Sequence, residues 1–259
     1  MNYDYIECGD NVALMKELPN ECVDLTVTSP PYDNLRTYEG FSWDFESVAK
    51  EIFRITKKGG VCVRIVNDAT IDGSETGTSF KQALFFKEIG FNLHDTMIWK
   101  KDSCAFPESV RYYQNFEYMF VFSKGKPKNF KPIQDRKNKF AGMKVHGTFR
   151  NKDGSTINRS DTWKESICKE YGVRFNVWEQ SSEKSNKTGH PAVFPKQLAI
   201  DHIISWSDKG DIVLDPFLGS GTTAIACVET DRHYIGFEIS EKYFDIACKR
   251  LDDAENDLL

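Results

Sequence analysis

The sequence predicts an α/β fold, and three observations carry that expectation. Apolar runs of strand length alternate with stretches whose apolar residues recur at helical spacing, the pattern of a sheet covered by helices. The chain has 259 residues, enough for one large domain or one domain with a smaller insertion. Near the C-terminus a short apolar strand runs into a Gly-x-Gly turn, then a helix, then a second strand.

Taken in order, Val23 to Thr28 reads as a buried strand. Trp43 and Asp44 open a helix over Asp44 to Thr56, with Phe45, Val48, Ile52 and Ile55 on one face; Lys57-Lys58-Gly59-Gly60 stops it. Val61 to Val66 is the next strand. Ser79 to Ile89 is a helix capped at Ser79 and ended by Gly90, and Leu93 to Lys100 and Phe116 to Ser123 are strands with Trp99 in the core. From Lys124 to Gly189 the periodicity decays into Lys, Asn, Ser and Gly, read as an inserted, partly irregular subdomain. It divides the chain into 1–123, 124–189 and 190–259. Pattern returns with a helix over Phe194 to Trp206, a strand Asp211 to Leu214, a helix Thr222 to Glu229, a strand Tyr234 to Glu238 and a helix Tyr243 to Leu251.

Composition narrows the class. No apolar run approaches the roughly 18 residues of a membrane span, and the first residues lack a signal-peptide pattern, so a cytoplasmic protein is expected. The seven cysteines include no Cys-x-x-Cys pair, which points to reduced thiols rather than disulfides or a metal site; no metal is expected. The net charge of -5 argues against a nucleic-acid binder when averaged, but the charge is asymmetric. Lys126, Lys128, Lys131, Arg136, Lys137 and Lys139 lie in a segment whose only acid up to Lys152 is Asp135. Such a stretch suits contact with a phosphate backbone.

Two motifs carry chemistry. In Asp215-Pro216-Phe217-Leu218-Gly219-Ser220-Gly221-Thr222-Thr223 the glycines permit a sharp turn and close approach of a ligand, and the helix that follows presents free amides. Glu238, about twenty residues on at the end of the next strand, is placed to bind ribose hydroxyls. The Gly-Lys-Ser/Thr of a phosphate loop is absent. The second motif, Ser29-Pro30-Pro31-Tyr32, ends the first strand. Consecutive prolines fix the backbone and remove amide donors, leaving carbonyls and the Ser29 hydroxyl as acceptors for an exocyclic amine; Tyr32 offers a flat face for a base.

These residues resemble the β group of DNA amino-methyltransferases, the modification-methylase family that uses S-adenosylmethionine. Ser29 to Tyr32 looks like its catalytic motif, Asp215 to Thr223 its cofactor loop and Glu238 its ribose-binding acid. His190-Pro191-Ala192-Val193-Phe194-Pro195 resembles the segment that helps form the cofactor's methionine pocket, and Gly9-Asp10 the region where Asp10 meets the adenine. The likeness covers nearly the whole chain except Lys124 to Gly189, where target recognition would lie. It implies a Rossmann-like, seven-stranded mixed sheet, S-adenosylmethionine as cofactor and a flipped base in double-stranded DNA. It admits a cognate restriction endonuclease as companion, and a monomer or homodimer. Arg36, after the catalytic turn, reads either as a phosphate contact or as half of a surface salt bridge.

Serine at the first motif position is commoner in this family among N4-cytosine enzymes, so cytosine is favoured over N6 of adenine. Methylation at carbon 5 would need a Pro-Cys nucleophile, which the chain lacks. A methyltransferase acting on RNA or a small molecule, and an inactive DNA-binding protein on the same fold, are the competing readings.

Overall fold

The structure is a computed structural model and describes residues 3–32, 43–103, 109–145, 147–159, 166–181 and 194–256. Two compact units emerge: one formed by Met1–Lys131 with Asn176–Leu259, the other by Pro132–Phe175.

The larger unit is built on one mixed sheet. Its strands are β1 (Tyr5–Cys8), β2 (Val23–Thr28), β3 (Thr56–Val66), β4 (Asn92–Lys100), β5 (Phe116–Ser123), β6 (Val177–Glu179), β7 (Ile212–Asp215) and β8 (His233–Glu238). Their order across the sheet is β1-β8-β7-β2-β3-β5-β4-β6. From β1 to β3 every pairing is parallel; β5 is antiparallel to both β3 and β4. The expected mixed sheet is present. Its eighth strand, the three-residue β6, pairs parallel to β4 with Trp178 opposite Trp99.

The helices are α1 (Asn11–Glu17), α2 (Phe45–Ile55), α3 (Thr78–Glu88), α4 (Lys196–Trp206), α5 (Thr222–Glu229) and α6 (Glu241–Asn256). Met15, Ile52, Ile55 and Phe86 from the first three pack with Phe91, Phe122, Leu214 and Phe237 in one apolar layer. Helix α5 packs between α4 and α6 in a second group. Among the described residues no helix is long and apolar enough to cross a membrane.

Local chemistry explains where the reading of helix ends was right and where it slipped. Asp44 caps α2 by accepting from the Ser47 amide at 3.2 Å and its hydroxyl at 2.6 Å. The helix does not need the Gly59-Gly60 stop: the Thr56 hydroxyl donates to the Ile52 carbonyl at 2.6 Å and the chain turns directly into β3. Gly60 instead allows close strand approach, since a Cβ there would lie 2.7 Å from Thr56 Cγ2 and 3.0 Å from the Asp24 carbonyl. Ser79 does not cap α3. The cap residue is Gly77 in the left-handed region, and the Ser79 amide and hydroxyl both donate to Asp68, at 2.7 and 2.6 Å. Of the cysteines, Cys22, Cys62 and Cys227 are buried, Cys8 is exposed, and Cys104 lies outside the described residues.

The smaller unit contains two short antiparallel ladders, Arg136–Lys137 with Tyr171–Gly172 and Thr148–Arg150 with Thr156–Asn158. Arg174 pairs with Asp135 inside it, and the Arg136 guanidinium lies 4.5 Å from the Phe175 ring centre.

Candidate active site

Strand direction gathers the chemistry at one edge. The carboxyl ends of β1, β8, β7, β2 and β3 share that edge because all five run parallel. The antiparallel β5 brings its first residues, Phe116 and Glu117, to the same edge, with Tyr118 opposite Val66. The chain runs from β7 to β8 in one direction and from β2 to β3 in the other. The crevice between β7 and β2 is therefore the point where strand order reverses, the usual binding position in open α/β sheets.

Asp215 occupies that crevice. It is 1 % exposed, and its carboxylate accepts from the Thr28 hydroxyl at 2.7 Å, the Thr223 hydroxyl at 2.7 Å and the Phe217 amide at 3.1 Å. Burial pushes its carboxyl up to about 6, with the bonds from Thr223, Thr28 and Phe217 pulling the other way. The carboxylate thus ties the residue before Ser29 to the first turn of α5.

The glycine loop is built by backbone demands. Gly219 and Gly221 have φ of 56° and 85°, a region where other residues are strained. A Cβ on Gly221 would also lie 3.2 Å from that of Ala247 on α6. Pro216 accepts from Asn11 Nδ2 at 2.9 Å, and the Phe217 ring meets Trp43 edge-on at 4.9 Å. Ser220 is buried and held by Arg250, whose guanidinium donates to its hydroxyl at 2.8 Å and to its carbonyl. Thr222 and Thr223 are the buried first residues of α5.

Glu238 ends β8 beside this loop. Its carboxylate accepts from the Gly219 amide at 2.7 Å and the Ser240 amide at 2.9 Å. The Glu238 carbonyl accepts from Gly9 at 2.9 Å, which sets Asp10 alongside; Asp10 caps α1, accepting from the Ala13 amide at 2.8 Å.

At the end of β2, Ser29, Pro31 and Tyr32 are half-buried and Pro30 is buried. Ser29 Oγ lies 2.8 Å from the Tyr32 hydroxyl, which donates to Glu117 Oε2 at 2.7 Å; Lys101 pairs with the other oxygen of Glu117. Behind them Arg64, opposite Thr28 in register, is 3 % exposed. Its guanidinium sits 4.8 Å from the Phe86 ring and 5.3 Å from the Phe45 ring, and burial lowers its pKa to about 10.

The sequence-read residues Asp10, Ser29 to Tyr32, Asp215 to Thr223 and Glu238 therefore converge. Phe194 is buried and Pro195 is the N-cap residue of α4, which packs on α5. Arg36, His190 and Pro191 lie outside the described residues. Lys126, Lys128 and Lys131 are not brought to this edge. The Lys128 amide donates to the Gly59 carbonyl, near the start of β3, and Lys131 donates its amide to Ser205 and pairs with Asp208. Gly59 is about 20 Å along the strand from the level of Ser29, at 3.3 Å per residue. Arg136, Lys137 and Lys139 belong to the smaller unit, where the Arg136 Nε donates to the Val173 carbonyl.

Sequence reasoning missed Thr28, Asn11, Arg250, Glu117 and Lys101. Glu117 and Arg64 had a visible signal: each is a charge inside an otherwise apolar strand run. The others are ordinary residues whose partners lie far along the chain.

The donor set favours one kind of ligand. Asp10 and Glu238 put two carboxyl groups beside the loop, hostile to a polyphosphate and suited to a nucleoside. Next to it stands a proline-fixed turn with a hydroxyl acceptor. Fold and site together define a group-transfer protein of the doubly wound α/β class.

The comparisons with known proteins make the class specific. The N6/N4 methyltransferase family model, described as DNA methylase, matches residues 23–249. The orphan methyltransferase M.BamHII of Bacillus amyloliquefaciens is 55% identical over 246 residues, covering 92% of this chain and 92% of that protein. Among solved structures, the PvuII DNA methyltransferase (cytosine-N4-specific) aligns with a TM-score of 0.70 at 21% identity, over 99% of this chain and 92% of that one, a likeness of fold. The structure of M1.HpyAVI complexed with SAM aligns at 0.62 with 25% identity, over 95% and 98%. The chain belongs to the DNA methylase family of N6/N4 methyltransferases.

The cofactor is S-adenosylmethionine, whose sulfonium supplies an electrophilic methyl group. The residues present fit it: an acid ends the strand beside a glycine-rich turn, the arrangement that takes the ribose of a nucleoside.

Proposed function

We propose that the protein is a site-specific DNA methyltransferase that methylates the exocyclic amine of a flipped base, N4 of cytosine. The observation that carries this reading is the Thr28–Asp215 bond, which fixes the Ser29 turn against the cofactor loop. Glu238 holds the ribose hydroxyls, Asp10 meets the adenine, and the amides from Gly219 to Thr223 with His190, Pro191, Phe194 and Pro195 form the methionine pocket. Pro216, Phe217 and Ser220 shape the loop.

The amine nitrogen is a weak nucleophile because its lone pair is delocalised into the ring. Ser29 Oγ and the Pro30 carbonyl accept its two hydrogens and favour a pyramidal nitrogen whose lone pair faces the methyl group. Pro31 fixes the turn and the Tyr32 ring bears on the base. Transfer would be direct, with no covalent enzyme intermediate: the nitrogen–methyl bond would form as the sulfur–methyl bond breaks, the cofactor would leave as a neutral thioether, and the methylated nitrogen would give up one hydrogen as a proton to solvent.

The unit Pro132–Phe175 is proposed as the target-recognition element, with Arg136, Lys137 and Lys139 on phosphates and Arg36 at the catalytic turn. Double-stranded DNA is the partner, and the cytoplasm is the expected compartment. Neutral Ser29 at the first motif position supports cytosine over adenine.

The test is nucleoside mass spectrometry of unmethylated DNA incubated with the protein and S-adenosylmethionine. N4-methylcytosine is expected. N6-methyladenine would overturn the choice of base, and methylation of RNA in preference to DNA would overturn the substrate.

A further inference from the structure

Glu117 lies outside both motifs, on an otherwise apolar strand, and is 6 % exposed. It ends a file of hydrogen bonds that starts at Ser29. The Tyr32 hydroxyl has one hydrogen and donates it to Glu117 Oε2 at 2.7 Å. The 2.8 Å contact between Ser29 and Tyr32 must then use the hydrogen of Ser29. With that hydrogen committed, Ser29 Oγ can only accept. Lys101 engages Oε1 of Glu117, which holds Oε2 towards Tyr32.

We propose that Glu117 is a positioning residue that sets the hydrogen-bond polarity of this file, so that Ser29 presents only acceptor lone pairs to the substrate amine. Without an acceptor at Glu117, Tyr32 can donate to Ser29, and the Ser29 hydrogen is then free to turn into the space of the amine hydrogens. The proposal rests on the reading of Ser29 to Tyr32 as the amine-binding turn.

Glu117→Gln is the direct test because of Lys101. The ammonium attracts the amide oxygen, which turns the amide NH2 towards Tyr32 and reverses the file. The expected result is a fall in kcat of at least about tenfold, with cofactor Kd and the KM for DNA within about twofold of the parent. Tyr32→Phe breaks the file, so adding Glu117→Gln to it should change nothing further. Adding Lys101→Met to Glu117→Gln frees the amide to turn its oxygen to Tyr32 and should recover most of the lost rate.

An unchanged kcat in Glu117→Gln, an equal loss in the Tyr32→Phe background, or no recovery with Lys101→Met would each overturn the proposal. Should Glu117→Gln fail to fold by thermal melt, Tyr32→Phe alone decides: it keeps the ring, so unchanged turnover would overturn the file. Ser29→Ala separates the two levels. If it leaves kcat intact, the reading of the turn fails; if it abolishes turnover while Glu117→Gln does not, only the role of Glu117 fails.

Discussion

The Thr28 hydroxyl donates to Asp215 Oδ1 across 2.7 Å in a fully buried pair separated by 187 residues of sequence. It joins the last residue of β2 to the last residue of β7, where strand order reverses. Because Ser29 follows Thr28 and the glycine loop follows Asp215, one bond sets the spacing between the Ser29 turn and the glycine loop.

Thr28→Val keeps the shape of the side chain and removes the donor. A buried carboxylate oxygen is left short of a partner, which costs about 1–3 kcal/mol. Urea unfolding at neutral pH should show a loss in that range, accompanied by weaker cofactor binding. Unchanged stability would mean that the pair does not organise the crevice.

Asp215 also makes stability depend on pH. Its folded-state pKa of about 6 lies above the ordinary 3.8. Between those values the folded chain keeps a proton that the unfolded chain has lost, so stability from this group is fully present below about 4 and declines as pH rises through about 6. The span corresponds to about 3 kcal/mol. Asp215→Asn should flatten this part of the stability profile in denaturant melts between pH 4 and 8 (a range of about four units).

Gly221→Ala combines a φ of 85° with a Cβ placed 3.2 Å from that of Ala247. The left-handed backbone alone costs about 1–2 kcal/mol for an L-residue. A lower melting temperature is expected, with cofactor affinity falling in parallel because the same turn shapes the cradle.

Glu238→Gln removes the charge proposed to serve the ribose while one oxygen can still accept from the Gly219 amide. Hydrogen bonds to charged groups contribute about 1.5–3 kcal/mol, so cofactor Kd should rise about tenfold or more by calorimetry. The NH2 that replaces the other oxygen cannot accept from the Ser240 amide, so the melting temperature should fall as well.

Lys126 and Lys128 lie near the start of β3, at the far end of the sheet from Ser29. Replacing both with alanine should leave DNA affinity and its salt dependence within about twofold of the parent. A clear drop in salt slope would show that DNA reaches that end of the molecule.

Much of this site was legible because its signals are local. Strands β2 and β5 and helix α5 have the expected bounds, since each is a mainly apolar stretch set between polar or turn-forming residues. The Gly219 and Gly221 turn was visible because left-handed backbone leaves a glycine signature. Strand β1 and helix α1 were missed: β1 has four residues, none of them buried, and α1 buries only Met15. The place of the basic segment was not legible, because charge density does not say which end of a sheet a loop occupies. Lys128 and Lys131 are anchored by backbone bonds to Gly59 and Ser205, which no local pattern announces. Glu117 stood out as a charge in an apolar strand, but its partner Tyr32, 85 positions away, did not.

The most direct measurement is a crystal structure with duplex DNA and a cofactor analogue in which an amine replaces the sulfonium methyl. The expected result is a cytosine turned out of the duplex with its exocyclic nitrogen about 3 Å from Ser29 Oγ and the analogue seated between Glu238 and the Gly219–Thr223 turn. A base amine facing away from Ser29, or an analogue bound elsewhere, would contradict a single site formed by the two motifs.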